Sequence, residues 1–131
     1  MPGWRQVDYL GYIDRPELQR VMSESVAGLV TLFSIPGYVD SNPTKMFEYM
    51  SAELPVIASD FPLWRRILEE TGAGICVDPH SPQDIAGAVL GIMDNPEEAV
   101  RMGKAGRAAI LGKYNWPNEA RALLELYARG R

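Results

Sequence analysis

The stretch that decides the fold spans residues 41–60 and reads SNPTKMFEYMSAELPVIASD. It follows the apolar run 29–33 and a turn-rich loop, and it has the pattern of a short helix leading directly into a buried strand. A helix that begins at the carboxyl end of a parallel strand points its free N–H groups and its positive dipole end towards that edge of the sheet. The stretch therefore predicts an anion site, with Lys45 in the first helical turn and Glu48 three residues further on.

Strand-like and helix-like segments alternate along the rest of the chain. We expect strands at residues 7–12, 27–33, 56–59 and 75–77, and a loop at 34–42. Helices are expected after Asp14 or Arg15, at 43–52, at 61–71 and after Ser81. A longer helix is expected from Asn95-Pro96 to about Tyr114, and a last one from about Trp116. The apolar run 27–33 is typical of a central parallel strand that is covered on both faces. The fold class is thus α/β, a three-layer doubly wound parallel sheet.

Three of the predicted helices carry apolar residues at helical spacing, so each is expected to bury one face. These faces are Leu18, Val21, Met22 and Ser25; Ile85, Ala86, Val89, Leu90 and Met93; and Ala120, Leu123, Leu124 and Tyr127.

Composition excludes several classes of protein. With 131 residues, 47% of them hydrophobic, the chain is expected to form one domain over residues 1–131. A net charge of −4 argues against a nucleic-acid partner, and a single cysteine excludes an internal disulfide framework. No apolar run has the length of a membrane span, and the N-terminus lacks the layout of a signal peptide. We expect a cytoplasmic domain.

Three runs of sequence carry a resemblance to a known family. Residues 42–45 (NPTK), 48–50 (EYM) and 54–60 (LPVIASD) resemble the donor-binding segment of the family 4 retaining glycosyltransferases, which have the two-domain, Rossmann-like GT-B fold. Residues 7–13 (VDYLGYI), 74–79 (GICVDP) and 82–85 (PQDI) are similar to the flanking segments, in the same order. The resemblance covers nearly all of the chain from Val7 onward.

The resemblance implies that the chain is the C-terminal, donor-binding half of a longer enzyme, incomplete at its N-terminus. The partner substrate would be a nucleoside-diphosphate sugar, with no required metal or other cofactor, and no catalytic residue would lie within this fragment. The missing N-terminal domain would bind the acceptor, and helices at about 96–131 would pack on this domain or across the junction. Cell-envelope polysaccharide or glycolipid synthesis, with contact of the full-length enzyme with a membrane surface, is the family-level expectation.

The resemblance also implies roles for single residues of the predicted helix. Glu48 would accept hydrogen bonds from the ribose hydroxyls of the nucleotide. The resemblance favours this role over that of a solvated helix glutamate. The backbone N–H groups of Thr44, Lys45 and Met46 would bind the diphosphate, and Pro43 fits a first helical position that needs no donor.

Other positions allow two interpretations. Asp40 would contact the transferred sugar or be an ordinary loop aspartate. Gly11 and Ile13 would hold the base or form a strand-to-helix turn. Asn42 is expected to cap the helix rather than to bind a ligand.

The remaining candidates have simpler interpretations. Cys76 is expected to be a buried structural thiol and His80 a loop residue, so no metal-ligand cluster is predicted. Arg101, Lys104 and Arg107 suit acidic lipid head groups or, more simply, a solvated helix face. The aromatics Trp64, Trp116 and Tyr127 are expected in the core or at a domain junction.

Two further functions stay open. One is half of a nucleotide-sugar 2-epimerase, which uses the same two-domain fold, although residues 42–48 fit the transferase pattern better. The other is a non-catalytic binding domain.

Overall fold

The computed structural model describes residues 2–130. In chain order these residues form a short 3-10 helix (Pro2–Gln6), α1 (Arg15–Glu24), β1 (Gly28–Val30), α2 (Pro36–Val39), α3 (Thr44–Ser51), β2 (Val56–Ser59), α4 (Pro62–Thr71), β3 (Gly74–Val77), α5 (Pro82–Asp94), α6 (Pro96–Gly112) and α7 (Trp116–Arg129). Most helices begin with a proline in their first two positions, where the missing N–H group costs no hydrogen bond.

The three strands form one parallel sheet in the order β1-β2-β3. Val56 at the start of β2 lies opposite Gly28 on one side and Gly74 on the other. All four residues of β2 are buried, as expected for a strand with a neighbour on each side and helices over both faces.

Side chains of β2 alternate between two apolar layers. Val56 and Ala58 face α3 and α4, where Met46, Met50 and Trp64 form the centre of the larger core. The neighbouring Ile57 faces the opposite way and packs against α5 in a second core, with Val77 and Ile92. Helices therefore cover both faces, and the predicted three-layer parallel α/β fold is confirmed.

The prediction of a strand at residues 7–12 is wrong. The chain there is irregular and exposed, and it pairs with no strand within the described residues. Its apolar pattern is short, and a strand needs a neighbour to accept its backbone hydrogen bonds.

The parallel strand predicted at residues 27–33 is present, but its predicted length and central position are wrong. Only Gly28–Val30 is a strand, and it lies at the edge of the sheet with Leu29 47% exposed. Residues 34–42 are not wholly a loop either, because they contain the short helix α2.

The three predicted apolar faces are less buried than expected. Helix α1 has no buried side chain. In α5, Ile92 is buried and Ile85 and Val89 pack on the core, but Leu90 and Met93 are each 56% exposed. The prediction for α7 is wrong, since Leu124 and Tyr127 are each 69% exposed and Leu123 is 46% exposed.

None of the helices within residues 2–130 combines the length and the apolar composition that crossing a membrane requires.

Candidate functional site

Helix α3 is anchored by two methionines that orient its remaining side chains. Met46 and Met50 are fully buried, four residues apart on one face. Lys45 and Glu48 consequently lie on the exposed side of the helix. Since Met46 is buried, only its backbone N–H group is available to a ligand.

The N-terminus of α3 has no side-chain cap. The N-cap residue is the buried Pro43, and no side chain accepts from the first turn, so the expectation that Asn42 caps this helix is wrong. The carbonyl of Asn42 instead accepts from the Thr44 N–H group at 3.0 Å. Because Pro43 occupies the N-cap, a side chain that could accept from the first turn is absent from that position.

The next two amides of the helix are available. Within residues 2–130, the N–H groups of Lys45 and Met46 donate to no backbone acceptor, and the Lys45 ammonium group forms no ion pair. Free amides at a helix start, reinforced by the dipole and a nearby cation, favour a bound anion.

Glu48 lies in a cleft between α1 and α3. It lines a cavity of about 330 Å³, together with Arg15, Gln19 and Arg107. The carboxylate forms no ion pair with another described residue, so both oxygens are available to a ligand. Vicinal hydroxyls suit such a carboxylate because each can donate to one oxygen.

The loop predicted to hold a base precedes α1, the helix that forms one side of this cleft. Gly11 has φ +65°, a left-handed conformation that favours glycine, and Ile13 is half-buried. Asp14 caps α1 by accepting from the Glu17 N–H group at 3.0 Å, and Arg15 begins the helix. Of residues 11–15, Arg15 lines the cavity that Glu48 lines, whereas Gly11 and Ile13 do not.

Asp40 is not brought to this cavity. It is exposed and ends α2, on a segment that the sequence pattern had indicated as loop. It does not line the Glu48 cavity.

Sequence reasoning did not predict that Arg15 and Arg107 would meet in this cleft. The Arg107 side chain donates from Nη1 to the Ser51 carbonyl oxygen at 2.5 Å, which ties α6 to the end of α3. The three-residue spacing of Arg101, Lys104 and Arg107 had favoured a solvated face, and only the packing of α6 on α3 distinguishes Arg107. For Arg15, its place as the last residue of the loop 11–15 that resembles a base-binding loop was the available signal.

Cys76 and His80 lie outside the cleft. Cys76 is half-buried rather than buried, and burial together with the Asp60 carboxylate raises the pKa of its thiol to about 11. His80 is in a loop, as expected, and stacks on Phe33 with ring centroids 4.8 Å apart. Residues 2–130 contain no cluster of three side chains placed to ligate a metal.

Comparison with known proteins identifies the family. Residues 3–109 match the family described as glycosyl transferases group 1. The chain belongs to this family.

Several members are similar to the chain over most of its length. It is 28% identical over 101 residues to a D-inositol 3-phosphate glycosyltransferase of a Nocardioides species, covering 77% of the chain and 22% of that protein. It is 21% identical over 123 residues to a glycogen synthase of Mycobacterium tuberculosis, covering 94% and 28% respectively.

A solved structure shares the fold. Sucrose-phosphate synthase from Thermosynechococcus elongatus superposes with a TM-score of 0.80 and 26% identity, over 95% of this chain and 30% of that one. The chain spans less than a third of the length of each of these relatives.

Proposed function

We propose that this chain binds the nucleoside-diphosphate part of an activated sugar within a retaining glycosyltransferase. The observation that carries the proposal is the cleft itself, where the unpaired Glu48 carboxylate shares a cavity with Arg15 at the end of the Gly11–Ile13 loop. In this assignment Glu48 accepts from the ribose hydroxyls and residues 11–13 border the base. A cavity of 330 Å³ suits a nucleoside better than a whole nucleotide sugar.

The diphosphate would lie at the start of α3. The free N–H groups of Lys45 and Met46 would donate to its oxygens, with Thr44 and the Lys45 ammonium group beside them. Negative charge grows on the diphosphate as the bond to the sugar breaks. Fixed amides and a cation stabilise that charge without reorganising, so they lower the barrier without a required metal ion.

The transferred sugar and its acceptor would be bound largely by other parts of the enzyme. Asp40 is the residue of this chain proposed to reach the sugar, and the acceptor would come from another domain. We further propose retention of anomeric configuration and a role in cell-envelope polysaccharide or glycolipid synthesis. The group 1 relatives support transfer of a sugar as the reaction class.

A titration of the isotope-labelled chain with UDP, GDP and ADP, followed by NMR, tests the proposal. We expect at least one nucleotide to shift the amide resonances of Thr44, Lys45 and Met46. Glu48→Gln should weaken that binding about tenfold, because it removes the charge from hydrogen bonds that are worth more when one partner is ionised. Glu125→Gln, at an exposed position of α7, is the matched control and should bind normally.

Two results would overturn the proposal. One is the absence of shifts at α3 with all three nucleotides, and the other is equal binding by the Glu48 and Glu125 variants. We also expect no sugar transfer by the chain alone, because the acceptor site lies elsewhere, and product formation by the purified chain would contradict this.

A further inference from the structure

Two buried hydrogen-bond donors contact the part of the chain that leads into α3. This part, the 31–43 segment, connects the end of β1 to the start of α3. Ser59, the last residue of β2, is fully buried and donates from its hydroxyl group to the Leu32 carbonyl oxygen at 2.6 Å. Trp64 of α4 is 1% exposed and donates from its indole N–H group to the Ser41 carbonyl oxygen at 3.0 Å. The two contacts therefore lie at opposite ends of the segment.

The 31–43 segment has few other contacts with the core. Most of its side chains are exposed, and Val39 is the residue of its interior that packs on the larger core. Neither the Leu32 nor the Ser41 carbonyl oxygen accepts from a backbone N–H group of residues 2–130. Since a buried donor without a partner costs free energy, both side-chain contacts are expected to persist in solution.

The Trp64 contact acts on the start of α3. Ser41 lies two residues before Pro43, the N-cap residue, so its carbonyl group belongs to the turn from which the helix begins. The free N–H groups of Lys45 and Met46 point back along the helix axis towards this turn. The position of the turn therefore decides whether an anion can reach them.

We infer that Ser59 and Trp64 are positioning residues for the diphosphate, an inference that rests on the function proposed above. Neither touches the ligand in this assignment, because both side chains are buried. By fixing both ends of the 31–43 segment, they keep the amides of Lys45 and Met46 in place before the nucleotide binds. Such preorganisation raises affinity because the ligand does not have to order the turn that binds it.

Titration of the full chain and its variants with UDP, GDP and ADP, at a temperature at which each variant is folded, tests the inference. Trp64→Phe keeps an aromatic ring but loses the N–H group, and Ser59→Ala loses only the hydroxyl group. We expect each change to weaken binding of the best-bound nucleotide by about three- to tenfold, as reported by the amide resonances of residues 44–46. Ser59→Thr retains a hydroxyl group and should recover most of the affinity that Ser59→Ala loses.

Ile92→Ala is the control for a loss of stability alone. Ile92 is buried in the second core, on the opposite face of the sheet from Trp64. The cavity left by this change should lower the midpoint of thermal unfolding at least as much as Trp64→Phe does. The affinity of the folded chain for the nucleotide should stay the same.

Three results would overturn the inference while leaving the proposed function intact. These are unchanged affinity in Trp64→Phe or in Ser59→Ala, an equal loss of affinity in Ile92→Ala, and no recovery in Ser59→Thr. If Trp64→Phe does not fold, the two Ser59 variants decide the matter. Failure of all three nucleotides to bind the unchanged chain would overturn the proposed function and this inference together, so the two kinds of failure are distinguishable.

Discussion

Tyr49 shows how one side chain can fix the candidate donor site. Its ring lies directly over Gly28, where a Cβ atom would overlap the ring, and its hydroxyl donates to the Leu29 carbonyl oxygen at 3.3 Å. Tyr49 therefore locks α3 against β1. Because Glu48 precedes it in the same helix, this contact also fixes the backbone from which the carboxylate projects.

Cys76 is the residue whose chemistry is most changed by its surroundings. Burial, reinforced by the Asp60 carboxylate, raises its thiol pKa from an ordinary 9.0 to about 11. At pH 8 this lowers the thiolate fraction by roughly a hundredfold, while the stronger nucleophilicity of a more basic thiolate recovers about tenfold. We expect alkylation by iodoacetamide at pH 8 to be about tenfold slower in the folded chain than in the urea-unfolded chain.

The pH profile of this alkylation provides the check. The rate for the folded chain should keep rising to about pH 11, and a plateau near pH 9 would show that the pKa is not raised. The folded pKa lies above the unfolded one, so the associated stabilisation is complete below pH 9 and is lost as the pH rises towards 11.

At the scale of elements, the close approach of α6 to α3 and to the turn after it holds the larger core together. Gly103 and Gly106 are the buried residues of α6. A Cβ atom on Gly103 would overlap the carbonyl oxygen of Glu53, whose own backbone is in the left-handed region at φ 58°. The helix can pack this closely only because position 103 has no side chain.

We predict that Gly103→Ala destabilises the fold by about 2 kcal/mol, since the overlap with backbone forces α6 away from α3. Gly87→Ala in α5 is the control, because nothing lies within 4 Å of the added methyl group. That change should instead stabilise by about 0.5–1 kcal/mol through the better helix propensity of alanine. Urea unfolding measures both, and equal effects of the two substitutions would show that the Gly103 contact is not tight.

At the scale of the whole molecule, the sheet and the helices packed on it form the stable body, and α7 adds little to it. None of the side chains of α7 is buried. Its junction with α6 depends on Asn115, which accepts from the Asn118 N–H group at 3.1 Å and donates to the Ile110 and Leu111 carbonyl oxygens at 2.9 Å. These local hydrogen bonds set the direction of the helix without burying it.

We predict that deletion of residues 116–131 lowers the midpoint of thermal unfolding by less than about 5 °C, because little apolar surface is exposed by the deletion. A chain ending at Asn95 is the contrasting variant. It also lacks α6, so Met50 and Ala73 lose the helix that covers them, and cooperative unfolding should disappear. A large loss of stability in the shorter deletion would mean that α7 belongs to the core.

The group 1 family assignment and the layered fold could be predicted from sequence because their signals are local. Prolines at helix starts, Gly72 at the left-handed end of α4 and the buried run of β2 each act on residues nearby in the chain. The exposure of Glu48, by contrast, follows from the burial of Met46 and Met50 on the other face of α3, which the structure shows.

Only the tertiary structure decided which apolar segments find partners. Residues 7–12 and the face of α7 have patterns as apolar as the buried elements, but burial depends on neighbours that are distant in the chain, and local propensity carries no information about them. The cavity that Glu48 lines depends on the same long-range packing. Arg107 reaches the Glu48 cleft because α6 packs across α3, which no spacing within α6 could indicate.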